Sequence, residues 1–315
     1  MKKFNVIVMN PPYARKDGEH ENSASPLYHL FIDKATDELQ PDYLVSINPS
    51  RWMIGGKGLD KFRKKMLADK RIKVIIDDMS PSGIFPNVDI AGGVNYFLWD
   101  KTYNGLCSFN GVKRNLNEYD VVLRENESCS ILKKVKSVAK SWLGHEVSSR
   151  KPYGIEVDAP PLLAGVPCWF KKSIGLAFVD DSLVKNRKDI HLWRVLVPKA
   201  TSGGGRAALT NGRFFGQSSI IVAKPNEYCT ETYLVLKSFQ AEDEAKNFVS
   251  YLNTKFFRFM LRLRVASQNL TRENYTWVPN LGDYSRPWTD EELYKMFDLN
   301  EQEQGYINDK IKELY

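Results

Sequence analysis

Over the first hundred positions, short apolar runs alternate with amphipathic stretches. Phe4 to Met9 (FNVIVM) has the length of a strand, and Tyr43 to Ile47 is a second such run. Between them Ser25 to Leu39 places Leu27, Leu30, Phe31, Ala35 and Leu39 on one helical face, with Ser25-Pro26 as a start signal and Pro41 as a stop. Strand, helix and strand in that order predict a parallel pair. A basic helix is expected from about Gly58 to Ala68. Strands Ile72 to Asp77 and Val94 to Trp99 then flank a loop rich in Gly, Pro and Ser, and their pairing is expected to be antiparallel at a sheet edge.

A helical stretch from Leu123 to Val138 carries Lys133, Lys134 and Lys136, after which the alternation ends and Gly, Pro and Trp become frequent. The expected division is therefore 1–125, 126–285 and a C-terminal helical segment 286–315. The middle region shows β-type runs at Leu192 to Val197, Ser219 to Val222 and Tyr233 to Phe239, then one long helix from Ala241 to Arg264. Helices from Asp290 and Glu301 finish the chain. The fold class is α/β, followed by a mixed α+β region.

The 315 residues suffice for two domains, and 43% hydrophobic with 26% charged residues is the balance of a soluble globular chain. No segment approaches the roughly 20 apolar residues of a spanning helix. The apolar run behind Met1-Lys2-Lys3 meets Pro11-Pro12 before any cleavage site, so a cytoplasmic location is expected. Cys107, Cys129, Cys168 and Cys229 are widely spaced, which points to reduced thiols and to neither a disulfide framework nor a metal site. A net charge of +7 suits a polyanionic partner without requiring one.

The first run ends in Asn10-Pro11-Pro12-Tyr13. As bare local structure this is a rigid turn. Its chemistry allows more. The amine of an adenine ring is a poor nucleophile because its lone pair is delocalised. An Asn side-chain oxygen and a carbonyl held by proline's fixed φ, aimed at the two N–H bonds, localise that pair. Asn10 and the Pro11 carbonyl are those acceptors, and Tyr13 offers a ring on which a flipped base stacks.

With these residues the chain resembles the γ-class adenine-N6 DNA methyltransferases of type II and IIG restriction-modification systems. SPLYHLFIDKATDEL is similar to the helix after that family's catalytic loop, LVSINPSRWMIGG to the next strand and loop, and IFPNVDIAGGVNYFLWDK to the last sheet hairpin, where an aromatic residue packs on the flipped base, a stacking position matched here by Phe85. VASQNLTRENYTWVP resembles the end of the target-recognition region. The resemblance implies that 1–125 is the C-terminal part of a Rossmann-like methyltransferase sheet, that 126–285 is the recognition domain, and that the cofactor is S-adenosylmethionine. In the family the cofactor site precedes the catalytic loop, whereas nine residues precede Asn10 here. Most of that site is therefore expected outside this chain, on a separate chain or lost. A glycine cluster at Gly203 to Gly205, with Glu227 as a ribose acid, is the permuted alternative.

Double-stranded DNA is the expected partner, contacted by Lys185, Arg187, Arg206, Arg213, Arg258 and Arg262 in the second region. Two other readings stay open: a DNA-binding remnant without catalysis, and a methyltransferase acting on protein or ribosomal RNA. Glu244-Ala245-Lys246 matches half a nuclease signature but sits in a helical stretch, so no nuclease is expected.

Overall fold

The structure, a computed structural model, describes residues 4–16, 24–56, 58–79, 84–85, 90, 92–200, 220–265 and 269–314. The chain forms two units, Met1–Asn126 and Glu127–Tyr315.

In the first unit the opening run is β1 (Val6–Met9), and a short hairpin of β2 (Ala14–Lys16) and β3 (Ala24–Pro26) precedes α1 (Tyr28–Asp33). Ser25-Pro26 thus lies in a strand, where Ser25 pairs with Arg15, and it does not cap the helix. After π-helical turns at Lys34–Leu39, Gln40 closes the helical stretch in the left-handed region at φ 46°. The unit continues with β4 (Tyr43–Pro49), α2 (Asp60–Ala68), β5 (Ile72–Asp78), β6 (Val94–Asp100), β7 (Cys107–Phe109) and β8 (Val112–Arg114).

These strands make one mixed sheet in the order β1-β4-β6-β5-β7-β8. The β1–β4 pair is parallel, as strand-helix-strand alternation predicts, with Val8 opposite Val45. β5 and β6 do pair antiparallel, but not at an edge. β6 lies between β4 and β5, and the β7–β8 hairpin extends the sheet beyond them. That hairpin is too short for a hydrophobic period to reveal.

One sheet face carries the core. Ile7, Met9, Leu44, Ile75, Phe97 and Trp99 pack with Tyr28 and Ile32 of α1 and Phe62, Met66 and Leu67 of α2. The other face sets Val8, Val45, Leu98 and Val74 in one register row. It is open at the β1 end, where Val6 is 55% and Val8 75% exposed. Parallel strands are ordinarily covered on both faces.

The second unit begins with α3 (Ser128–Val138). The helix starts five residues later than its sequence suggests, after the buried Arg124 and Glu125. Two three-stranded sheets follow. One is built from β9 (Val166–Trp169), β10 (Leu176–Val179) and a later strand, the other from β11 (Trp193–Pro198), β12 (Ile221–Ala223) and a second later strand. The later strands are β13 (Tyr228–Cys229) and β14 (Tyr233–Phe239), giving the orders β10-β9-β13 and β12-β11-β14. The long C-terminal helix is broken into α4 (Glu242–Asn253) and α5 (Lys255–Arg262). Thr254 leaves the helical region at the break, and its side-chain oxygen accepts from Phe257 N at 3.1 Å, capping α5. α6 (Asp290–Met296) and α7 (Glu301–Lys310) complete the unit, each opened by a reciprocal capping box. The cysteines are free, and no described helix is long and apolar enough to cross a membrane.

Candidate active site

Asn10 is the first residue past β1. Strand alternation explains what happens there: Ile7 and Met9 face the core, and Pro11, next on that side, is buried, whereas Asn10 and Pro12 are exposed. The loop is held at its far end too. Tyr13 O accepts from Leu27 N at 3.0 Å, and Ala14 pairs with Pro26 in the hairpin that follows. A rigid dipeptide between two hydrogen-bonded anchors fixes where the Pro11 carbonyl and the Asn10 side chain emerge, at the carboxyl end of a parallel strand where open α/β sheets bind ligands.

Tyr13 and Phe85 come together despite their sequence separation, with ring centroids 6.4 Å apart and planes at 86°. Tyr13 Oη is buried without a hydrogen-bond partner, and burial raises the phenol pKa, so the ring is neutral.

A polar row lies beside this loop that hydrophobic patterning does not single out. Asn48 pairs with Asn95, and Asn95 with Asp77, one step beyond the row of Met9, Ser46, Phe97 and Ile75. Asn48 and Asn95 are fully buried and Asp77 is 8% exposed. Asp77 is bound by Arg124, Nε to Oδ2 at 2.6 Å and Nη2 to Oδ1 at 2.8 Å, and Ser50 Oγ donates to it at 2.6 Å. Asn95 Nδ2 donates to Asn48 O at 3.1 Å. Gly93, at φ +80°, permits the close approach: a Cβ there would stand 2.2 Å from Asp78 O. The available signal was polar residues inside apolar strands, Ser46 and Asn48 in one and Asp77 in another.

These residues do not form a cradle for S-adenosylmethionine. β4 does lead through Gly55, Gly56 and Gly58 into α2, with acids at the end of β5. A 3-10 turn, Ser50–Met53, intervenes, and its Trp52 and Met53 are buried. Asp77, the acid a ribose would need, is committed to Arg124 and Ser50. The fit fails. Glu227 is likewise committed, accepting from Trp169 Nε1 at 2.9 Å and Lys224 N at 3.0 Å, while Gly203 to Gly205 lie outside the described residues.

The expected DNA contacts are separated by the structure. Lys185 and Arg187 are exposed, and Arg187 is paired with Asp181 at 2.7 Å and Tyr228 Oη at 2.6 Å. Arg206 and Arg213 lie outside the described residues. Arg258 and Arg262 are a correction: they are 1% and 6% exposed and cannot meet DNA where they stand. α5 is buried all round, with Phe256, Phe257, Phe259, Met260 and Leu261 at 0% exposure, so it has no solvent face. Arg258 instead donates through Nη1 to Lys312 O at 2.7 Å and through Nε to Thr254 O at 3.3 Å.

Residues 1–85, from β1 through Phe85, match the Eco57I restriction-modification methylase family. The start of the first unit is thus similar to restriction-modification methylases. Over 173 residues the chain is 30% identical to a Mycoplasma pneumoniae protein described as an uncharacterized adenine-specific methylase, a match spanning 48% of this chain and 41% of that protein. Among solved structures, the type IIG restriction endonuclease BpuSI aligns over 93% of this chain and 48% of its own, at 11% identity and TM-score 0.35. A type I restriction-modification complex aligns over 44% of this chain and 30% of its own, at 16% identity and TM-score 0.26. TM-scores this low do not bear on the fold. The methylase-like chain spans less than half the length of these proteins.

Proposed function

We propose that this chain is the base-handling and DNA-recognition part of an adenine-specific DNA methyltransferase of a restriction-modification system. The reaction carries a methyl group from S-adenosylmethionine to the N6 amine of an adenine turned out of duplex DNA. The observation that carries this reading is Asn10-Pro11-Pro12-Tyr13 at the carboxyl end of β1, inside the family-matched span, with Phe85 brought beside Tyr13.

Asn10 Oδ1 and the Pro11 carbonyl accept the two N–H bonds of the amine and draw its lone pair out of the ring plane. Tyr13 holds the base by stacking, and Phe85 limits its movement. Neither acceptor needs a tuned pKa, because hydrogen bonding makes the nucleophile without prior proton removal. The cofactor supplies an electrophilic methyl group.

The cofactor site belongs, in this reading, to an additional α/β half outside these 315 residues. Among the described residues no strand pairs with the outer edge of β1, and this edge and the open face at Val6 and Val8 support the reading. Crossovers in parallel sheets are right-handed, so strands added beyond β1 place their helices on the face opposite α1 and α2. That is the uncovered face.

The test is transfer of label from S-adenosylmethionine to duplex DNA, with the chain alone and fused behind a methyltransferase cofactor half. N6-methyladenine formed by the fusion and absent with Asn10→Ala supports the reading. DNA binding with no transfer by the fusion identifies a non-catalytic remnant instead.

A further inference from the structure

We propose that a recess in the second unit, rimmed by Arg150, Lys199 and Arg272, is a contact site for the phosphodiester backbone of duplex DNA. The proposal rests on DNA being the substrate and names a surface that sequence reading did not single out.

The recess has a volume of about 610 Å³, within the usual range for nucleotide-sized ligands, and Leu234 and Leu270 contribute to its lining. A smaller cavity shares Ser148, Ser149 and Arg272 with it and is lined further on by Asn186 and Lys188, so the two adjoin.

Its walls are fixed. Lys199 N donates to Thr232 O at 2.8 Å and Leu270 N to Lys199 O at 2.7 Å, joining the end of β11 to the segment ahead of Arg272. Ser148 lies along β14, exchanging hydrogen bonds with Val235 at 2.9 and 3.0 Å. Arg272 Nε donates to Val147 O at 2.7 Å, which sets the plane of its guanidinium.

The charges are gathered without being neutralised. Arg150 and Lys199 both face Glu231, at 3.3 and 3.7 Å, and Glu231 Oε2 accepts no hydrogen bond. Lys151 is 3.9 Å from the same carboxylate but is engaged by Glu156. Among the described residues the recess itself sets Arg150, Lys199 and Arg272 against Glu231, which is 6% exposed, and Glu273 on the rim, while Glu146, paired with Lys237, and Asp189 line the smaller cavity with Lys188. One loosely shared carboxylate holds two cations near each other, and a phosphate oxygen between them has stronger partners than either has now. A recess with an excess of cations on hydrogen-bonded walls suits a repeating polyanion.

The experiment measures affinity of the whole chain for non-specific duplex DNA across a salt series. The variants are Arg150→Ala/Arg272→Ala and the same pair with Lys199→Ala. The control, with equal charge removed at exposed positions, is Lys133→Ala/Lys140→Ala/Lys295→Ala. The triple recess variant is expected to lose at least tenfold in affinity and to lower the slope of log K against log salt by about 2 to 3, near 0.9 per phosphate. The double variant truncates two exposed side chains and leaves Lys199 on Glu231, so its intermediate loss separates binding from folding. Wild-type binding with unchanged recess variants, or equal loss in the control, overturns the site while leaving DNA as substrate. Saturable binding of a free deoxynucleotide, lost in the triple variant while duplex affinity holds, also overturns it by making the recess a small-ligand pocket. No duplex binding by the wild type removes both readings.

Discussion

Tyr13 and Phe85 meet edge to face, centroids 6.4 Å apart, although seventy-one residues of chain separate them in sequence. Their contact gives the loop after β1 a second aromatic wall. With a cofactor half supplied, Tyr13→Ala is expected to weaken capture of the flipped base by about 1 to 3 kcal/mol, the range of a base-aromatic stack. Phe85→Ala is expected to lower capture less, because Phe85 meets Tyr13 by its edge. Fluorescence of 2-aminopurine at the target position reports both. An unchanged signal in Tyr13→Ala removes the stacking role.

The open face at β1 makes a separate prediction. A strand edge lined by exposed Val6 and Val8 carries none of the lysines that blunt edges against association. The isolated chain is expected to self-associate with rising concentration in sedimentation velocity. Val6→Lys/Val8→Lys is expected to be monomeric with a melting temperature near wild type, since both side chains are more than half exposed. Loss of fold in that variant would show the face to be core.

Arg258 is expected to matter for stability and not for DNA. Its side chain bonds Lys312 O and Thr254 O inside a helix buried on every side. Arg258→Ala leaves Lys312 O without that donor, while Thr254 O keeps the backbone N of position 258, and opens a cavity, at a cost of about 2 to 4 kcal/mol. Urea unfolding measures it. At temperatures where the variant is folded, its salt slope for DNA should equal that of wild type.

Asp69 gives a pH dependence. Burial alone would raise its carboxyl pKa, but hydrogen bonds from the Arg71 side chain, Arg71 N and Trp99 Nε1 outweigh it and leave the pKa lowered. A lowered folded pKa means stability present above the unfolded value, near 4, and lost as pH falls through the folded value. Asp69→Asn is therefore expected to be less stable than wild type at pH 7, by about 1 to 3 kcal/mol. The difference should shrink as the urea midpoint is followed below about pH 4. A constant difference would place the effect in packing.

The sequence alone determined the pieces whose cause is local. The run ending at Met9 and the proline pair that must follow it, the parallel partner at Tyr43, and the capped helices at Asp290 and Glu301 all rest on period, propensity and turn chemistry within a few residues. Tertiary structure decided the rest. Ser25-Pro26 became a strand because its partner, Ala14–Lys16, could hydrogen-bond it, a non-local contact. Arg258 and Arg262 read as a charged stripe, yet α5 is packed on all sides, and only the neighbours of a helix determine whether its arginines see water. Asn48, Asn95 and Asp77 became one buried row because strand register joined them, and the gathering of Arg150, Lys199 and Arg272 depends on strand and turn pairing across more than a hundred residues. Periodicity records which side a residue faces; what stands on that side is set by segments far away in the chain.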